Sequence, residues 1–256
     1  MPRRPEARGI GLWGLVSPAL VLCVWELAGQ LGWTDPVLLP RPTQIIEALL
    51  GLVSSGAVFA PLANTVGLFL IGYVIASVLG TALGIAMATS QTLYGLLEPV
   101  VESLRPIPKP ALVPVLFLFL GIGTATMITL VVLAAVFPVL ISTFQGVRAL
   151  DPVLLETART LQISRSRTIL SIILPASLPM ILAGMRVSLG LGLVLVILAE
   201  MLAGENGIGF RILDHERSFQ IRDMFAWIVV LVALGGAMTK LFDIAERKLV
   251  PWQGRG

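Results

Sequence analysis

Long apolar runs alternate with short polar breaks along the whole chain. Residues 9–25, 48–97, 110–147, 168–185 and 224–239 contain no Asp, Glu, Lys or Arg. A helix rises about 1.5 Å per residue, so about 20 mostly apolar residues cross the ~30 Å hydrocarbon layer of a bilayer. Each charge left at mid-bilayer costs about 2.5–3.5 kcal/mol, so clearing charge from five such windows marks spanning helices rather than the core of a soluble bundle. The pattern predicts an all-α integral membrane protein with about six spans, near 10–30, 62–89, 96–120, 124–147, 178–202 and 224–243. Gly121, Ile122, Gly123 and Thr124 form a turn short enough to join the third and fourth spans as antiparallel neighbours. Residues 43–61, broken by Ser54, Ser55, Gly56 and Pro61, read as an interfacial helix. Gly204–Asp223 reads as an exposed loop or a short amphipathic helix.

Composition agrees with the pattern, since 56% of the 256 residues are hydrophobic and only 13% charged, a membrane profile. Charge then sets orientation. One side receives twelve basic residues: Arg3, Arg4, Arg8, Arg105, Lys109, Arg148, Arg159, Arg165, Arg167, Arg247, Lys248 and Arg255. Four fall on the other, Arg41, Arg211, Arg217 and Arg222, which puts both termini and the Asp151–Pro175 loop in the cytoplasm. The apolar run after Arg8 exceeds the usual signal-peptide core of roughly 7–15 residues, so it is expected to stay as the first span. Cys23 has no intrachain disulfide partner, and the lone His215 is a poor basis for a metal site, so no metal is expected.

Two polar interruptions carry candidate chemistry. In the first, Arg105–Pro110, three prolines in six residues exclude an uninterrupted helix. Broken backbone at membrane depth is tolerated where it is buried in protein or lines a wet cavity, so Arg105, Pro106, Pro108 and Lys109 are candidates for pathway lining, the two cations being able to attract an anion. The competing reading makes both cations ordinary topology determinants. Arg186 and Glu200, 14 residues and about 21 Å apart along the fifth span, mark either gates or interfacial anchors. Small residues at four-residue spacing, Gly72, Ala76, Gly80 and Gly84 in span two and Gly184, Ser188 and Gly192 in span five, predict close helix packing. The second interruption is Asp151–Pro175. Asp151 and Pro152 can start a helix with Val153, Leu154, Ala158 and Leu161 near one face, and Ser164 can cap a second helix running through Leu170 toward Pro175. Such a knob suits a clasping partner protein.

At these residues the chain resembles the membrane-spanning permease subunits of bacterial ATP-binding-cassette (ABC) importers, of the type I kind. Their E-A-A segment, glycine and later L-P read here as Glu156, Thr157, Ala158, then Gln162, then Leu174 and Pro175. Leu39-Pro40-Arg41-Pro42, Leu104-Arg105-Pro106-Ile107-Pro108, Phe119-Leu120-Gly121-Ile122-Gly123, Gly146-Val147-Arg148, Ala199-Glu200-Met201 and Leu249-Val250-Pro251-Trp252 resemble the nitrate, sulfonate and taurine branch. Two departures stand out: Thr157 replaces an alanine, and Gln162 replaces the glycine, at a cost of about 1 kcal/mol if that backbone is left-handed.

The resemblance implies a coupling helix, between the fourth and fifth spans, that sits in a groove on an ATPase subunit. Glu156, Thr157, Ala158, Arg159, Leu161 and Gln162 would form the contact, with Ser164, Arg165 and Arg167 beside it. It further implies residues 1–61 as tail, first span and outer segment, 62–246 as permease core with the coupling loop at 150–175, and 247–256 as a cytoplasmic tail. Expected partners are two ATPase copies, a second permease copy, most simply a homodimer, and an external solute-binding protein in a bacterial inner membrane. No nucleic-acid partner is expected. The chain has no G-x-x-x-x-G-K-S/T phosphate loop, so it is expected to be no enzyme and to hold no cofactor, with ATP and Mg on the ATPase. The implied cargo is a small anion such as a sulfonate, taurine or nitrate. An ion-coupled carrier acting alone is the rival reading; it ordinarily needs ionisable groups inside the spans, and this chain has few.

Overall fold

The computed structural model describes residues 12–251, with side chains described from Val16 onward. Arg3, Arg4, Arg8, Trp252 and Arg255, which the sequence reading used, lie outside the described residues. Among the described residues the chain is helical, with eleven α-helices and no strand. They are α1 (Leu12–Gln30), α2 (Pro42–Ser54), α3 (Phe59–Thr89), α4 (Gln91–Leu104), α5 (Val113–Leu120), α6 (Thr124–Arg148), α7 (Pro152–Thr160), α8 (Arg165–Thr168), α9 (Leu174–Ala203), α10 (Ile208–Arg217) and α11 (Ile221–Leu249).

Among the described residues, four helical stretches are long and apolar enough to cross a membrane: Phe59–Thr89, Thr124–Arg148, Arg165–Ala203 and Ile221–Leu249. The expected third span is not one helix. It is the pair α4 and Lys109–Leu120, bent by 93° at the Arg105–Pro108 break, so five spans result if the pair counts as one. Pro106 and Pro108 cause the break, because neither can donate an amide to the preceding turn. The first expected span falls on α1, whose described side chains, Val16–Gln30, are too short a stretch to span by themselves. The interfacial segment expected over 43–61 is α2 together with the start of α3.

The chain divides into two compact units. The first runs to Phe59 and takes in Ile212–Val230; the second covers Ala60–Arg211 and the chain from Leu231 onward. In the first, the Glu26 carboxylate accepts hydrogen bonds from the Thr43 N–H and hydroxyl, both at 3.1 Å, tying α1 to the start of α2. Within the same unit Trp25 meets Phe225 edge-on, with centroids 6.0 Å apart.

The second unit is organised around α6, which offers two rows of residues at four-residue spacing, the arrangement that lets ridges of one helix enter grooves of another. Val131, Ala135, Val139 and Thr143 form one row, each wholly removed from solvent. Against them lies the α3 ridge of Gly72, Ala76, Gly80 and Gly84. A Cβ on Gly72 would lie 2.7 Å from Val131 Cβ, one on Gly80 2.8 Å from Val139 Cβ, and one on Gly84 2.7 Å from Thr143 Cβ. The second row is Pro138, Ser142 and Gly146, facing α9, where a Cβ on Gly184 would come 2.7 Å from Ser142 Cβ. The Tyr73 hydroxyl, donating to the Met185 carbonyl at 2.7 Å, pins α3 to α9 directly.

Substituting Gly80→Ala therefore forces α3 off α6. The expected cost is about 1–3 kcal/mol, the usual range for overpacking, read as a lower thermal midpoint of the detergent-purified protein. Gly190→Ala, on a face with open space around it, should keep the midpoint or raise it slightly; equal midpoints for the two variants would contradict this packing.

Candidate functional site

One end of the α6 bundle carries α7. Its start is fixed by Asp151, whose carboxylate accepts the Val153 N–H at 2.9 Å, with Pro152 in the first turn where its missing N–H is harmless. Inward, Ala158 is buried, and Leu155 packs on the cluster of Ile85, Val147 and Ile173 drawn from α3, α6 and the segment before α9. Outward, Val153, Leu154, Glu156, Thr157, Arg159 and Leu161 are exposed. Ala158 thus faces away from the exposed apolar residues with which the sequence grouped it. The helix is fastened on one side and free on the other.

α7 ends in a Schellman motif: the Ile163 N–H donates to the Ala158 carbonyl at 3.0 Å and the Gln162 N–H to the Arg159 carbonyl at 2.9 Å. This closure needs a left-handed residue at Gln162, and φ there is +54°. The glycine of the family pattern has a backbone cause, and the glutamine bears its strain.

After the turn, Ser164 occupies the N-cap of α8 without a side-chain cap bond. The second helix does not stop near Pro175 as expected. It runs on as one stretch, Arg165–Ala203, through a π-helical segment at Ile169–Ile173. Pro175 has no N–H to give the carbonyl four residues back, which loosens the ladder there, and the Ser177 hydroxyl donates to the Ile173 carbonyl at 2.7 Å. Arg159 and Arg165 border a cleft of about 700 Å³ behind α7, together with Arg148, while Arg167 is exposed outside it.

A second cavity, of about 470 Å³, lies between the α4–α5 break, α6 and α9. Phe137, Pro138, Ile141, Leu191 and Leu195 make its wall largely apolar, with the Ser142 hydroxyl as a polar point. Arg105 and Lys109 both line it. Lys109 is also a structural residue, because its ammonium donates to the carbonyls of Leu104 at 2.7 Å and Arg105 at 3.2 Å, capping the end of α4, and lies 4.6 Å from the centroid of the Phe137 ring. Arg105 pairs with Glu102 at 3.4 Å, both half-exposed, an interaction worth well under about 1 kcal/mol that leaves the guanidinium available.

The other two candidates lie off this cavity. Arg186 bridges from α9 to Asp243 of α11 at 2.7 Å and also pairs with Glu246. Glu200 is wholly buried and hydrogen-bonded to Thr65 and to the backbone of Gly209. Sequence reasoning missed Leu155, Phe137 and Thr65, which carry no charge or motif; the closely spaced Gly204, Gly207 and Gly209 were the available sign of something bulky beside them.

A family profile described as "Binding-protein-dependent transport system inner membrane component" matches residues 80–254, more than half of the chain. The chain belongs to this family. Among its relatives are the taurine transport system permease TauC of Escherichia coli, 31% identical over 98% of this chain and 93% of TauC, and the nitrate import permease NrtB of Synechocystis, 28% identical over 92% and 88%. SsuC of Bacillus subtilis, whose name assigns it to aliphatic sulfonate transport, is 33% identical over 98% and 91%. In fold, the chain is similar to a chain of the inward-facing MetNI methionine ABC transporter, with a TM-score of 0.64 at 16% identity over 72% of this chain and 92% of that one. A chain of an amino acid ABC transporter gives 0.60 at 19% identity over 78% and 98%. The permease recognised from its loop motifs is thus an ABC importer permease of the sulfonate, taurine and nitrate branch, with the all-helical fold of that class.

Gln162→Gly should relieve the left-handed strain at the end of α7, offset in part by glycine's larger unfolded-state entropy. The expected net gain is about 0.5–1 kcal/mol, measured as a raised thermal midpoint; a lowered midpoint would mean that the glutamine side chain makes a contact of its own.

Proposed function

We propose that this chain is the translocating subunit of an ATP-driven importer for a small anion, working with a second copy of itself, two ABC ATPase subunits and an external solute-binding protein. The observation that carries the reading is the asymmetry of α7. Leu155 packs on the cluster from α3, α6 and the segment before α9, and Ala158 is buried, while Glu156, Arg159 and Leu161 stay free, so a force applied to the outer face moves the bundle. Thr157, Gln162, Ser164, Arg165 and Arg167 complete the docking surface. The excess of basic residues at this end favours a cytoplasmic α7 and cytoplasmic termini in an inner membrane. ATP and Mg belong to the partner, because this sequence has no phosphate-binding loop.

The cargo class rests on two supports. TauC and NrtB are named for taurine and nitrate, and the 470 Å³ cavity has the size of a small-molecule site with both of its lining cations at the α4–α5 break. Of these, Arg105 is the anion contact, while Pro106, Pro108 and the capping Lys109 hold the break open around it. A sulfonate or nitrate can accept the guanidinium's paired N–H donors, whereas the apolar wall binds no particular solute strongly. Selection then falls to the external binding protein. Arg186 steadies α9 against α11.

The test is purification of the tagged chain with its partners, followed by reconstitution. A stoichiometric ATPase is expected, and Glu156→Lys should abolish ATP hydrolysis stimulated by the loaded binding protein without reducing membrane insertion. Transport by the isolated polypeptide in liposomes would refute the reading. Arg105→Gln should reduce anion uptake about tenfold or more with ATPase assembly intact, the loss of about 1.4 kcal/mol or more of charge-assisted hydrogen bonding; unchanged uptake would remove Arg105 from the pathway.

A further inference from the structure

Glu200 is an acid near the end of α9 farthest from α7, and no solvent reaches it. Its carboxylate lies 2.8 and 3.0 Å from the Thr65 hydroxyl of α3, and it accepts the Gly209 N–H at 2.9 Å. The same Thr65 oxygen accepts the Ile208 N–H at 2.9 Å, so the hydroxyl gives its own proton to the carboxylate while receiving one from the backbone. Ile208 and Gly209 open α10, and the first amides of a helix have no partner within it. Glu200 and Thr65 therefore cap α10 from two other helices, their oxygens accepting its first amides at the positive end of its dipole. The chain in between is shaped to admit them. Gly207 has φ +119°, and a Cβ there would collide with the Glu200 carboxylate; one on Gly209 would strike the Ile197 carbonyl. Asn64 adds a second tie from α3 by donating its amide to the Asn206 carbonyl at 3.1 Å.

An ordinary helix cap is local and interchangeable. This one joins three separate chain segments through a single buried carboxyl group, so the segment cannot leave α3 or α9 without stranding buried polar groups or admitting water. We propose that Glu200 is a positioning residue for transport: with Thr65 it clamps Gly204–Arg211 to α3 and α9, so that this outer segment and the two spans move as one body when the importer changes state. The inference rests on the importer reading above, because it assigns the clamp a part in that cycle.

The experiment uses the whole reconstituted importer, with permease, ATPase and solute-loaded binding protein, and compares Thr65→Ser, Thr65→Val and Glu200→Gln. Amide hydrogen exchange at residues 207–211 reads the clamp itself. Exchange should quicken about tenfold or more in Thr65→Val and Glu200→Gln and stay at the wild-type rate in Thr65→Ser, which keeps the hydroxyl. ATP hydrolysis reads its purpose. Basal turnover should stay within about twofold, while the increase caused by the loaded binding protein should fall about tenfold in the first two variants and be retained in Thr65→Ser. Unchanged exchange, quickened exchange with full stimulation, or equal loss of basal and stimulated turnover would each overturn the proposal, the last by reducing the residues to a folding role. Thr65→Val decides the matter even if Glu200→Gln fails to assemble. A wild-type chain that recruits no ATPase would instead sink the importer reading and the inference with it, an outcome visible before any variant is made.

Discussion

Close approach of α3 and α9 to α6 is the constraint on which the rest of the second unit depends. Lipid tails are as apolar as leucine, so apolar burial alone gives spanning helices little reason to associate; contact area and packing must supply it. Glycines at 72, 80, 84 and 184 bring backbone against the Val131, Val139, Thr143 and Ser142 side chains, and the contacts leave no room for a methyl group. The cavity exists because this packing opens near the α4–α5 break, and α7 has a floor because Ile85, Val147 and Ile173 come together at one end.

At three helix ends a polar side chain satisfies the backbone. Asp151 caps α7, Lys109 caps α4, and Glu200 with Thr65 caps α10. An uncapped helix end leaves backbone groups unpaired, most expensively where it is buried as at Glu200, so these ends take up polar side chains. Arg105, held only by an exposed neighbour, is the cation of the cavity with the least structural duty.

Much of this could be read from the chain before its structure. Charge-free runs located the helices because the bilayer's demand for apolar length is local and one-dimensional. At Gln162 the glycine of the family pattern raised a left-handed backbone only as a condition, and φ of +54° meets it. What could not be read was direction. Hydropathy does not separate a lipid-facing residue from a helix-facing one, so the role of α6 as the common partner and the inward turn of Ala158 emerged only from packing. Glu200 read as a pathway candidate for the same reason: the partner that accounts for its burial, Thr65, is 135 residues away. The break at Arg105–Pro108 was legible as a break, but not its 93° bend.

The account turns on α7 being gripped by an ATPase on its free face while its other face holds the bundle. Site-specific photo-cross-linking in intact cells tests this most directly, with the reactive group placed in turn at the exposed Val153 and at the buried Ala158. The account predicts an adduct with an ABC ATPase from Val153 and an adduct only within the chain from Ala158. Capture of no ATPase from Val153, or labelling of that position by a membrane-impermeant reagent added outside the cell, would contradict it.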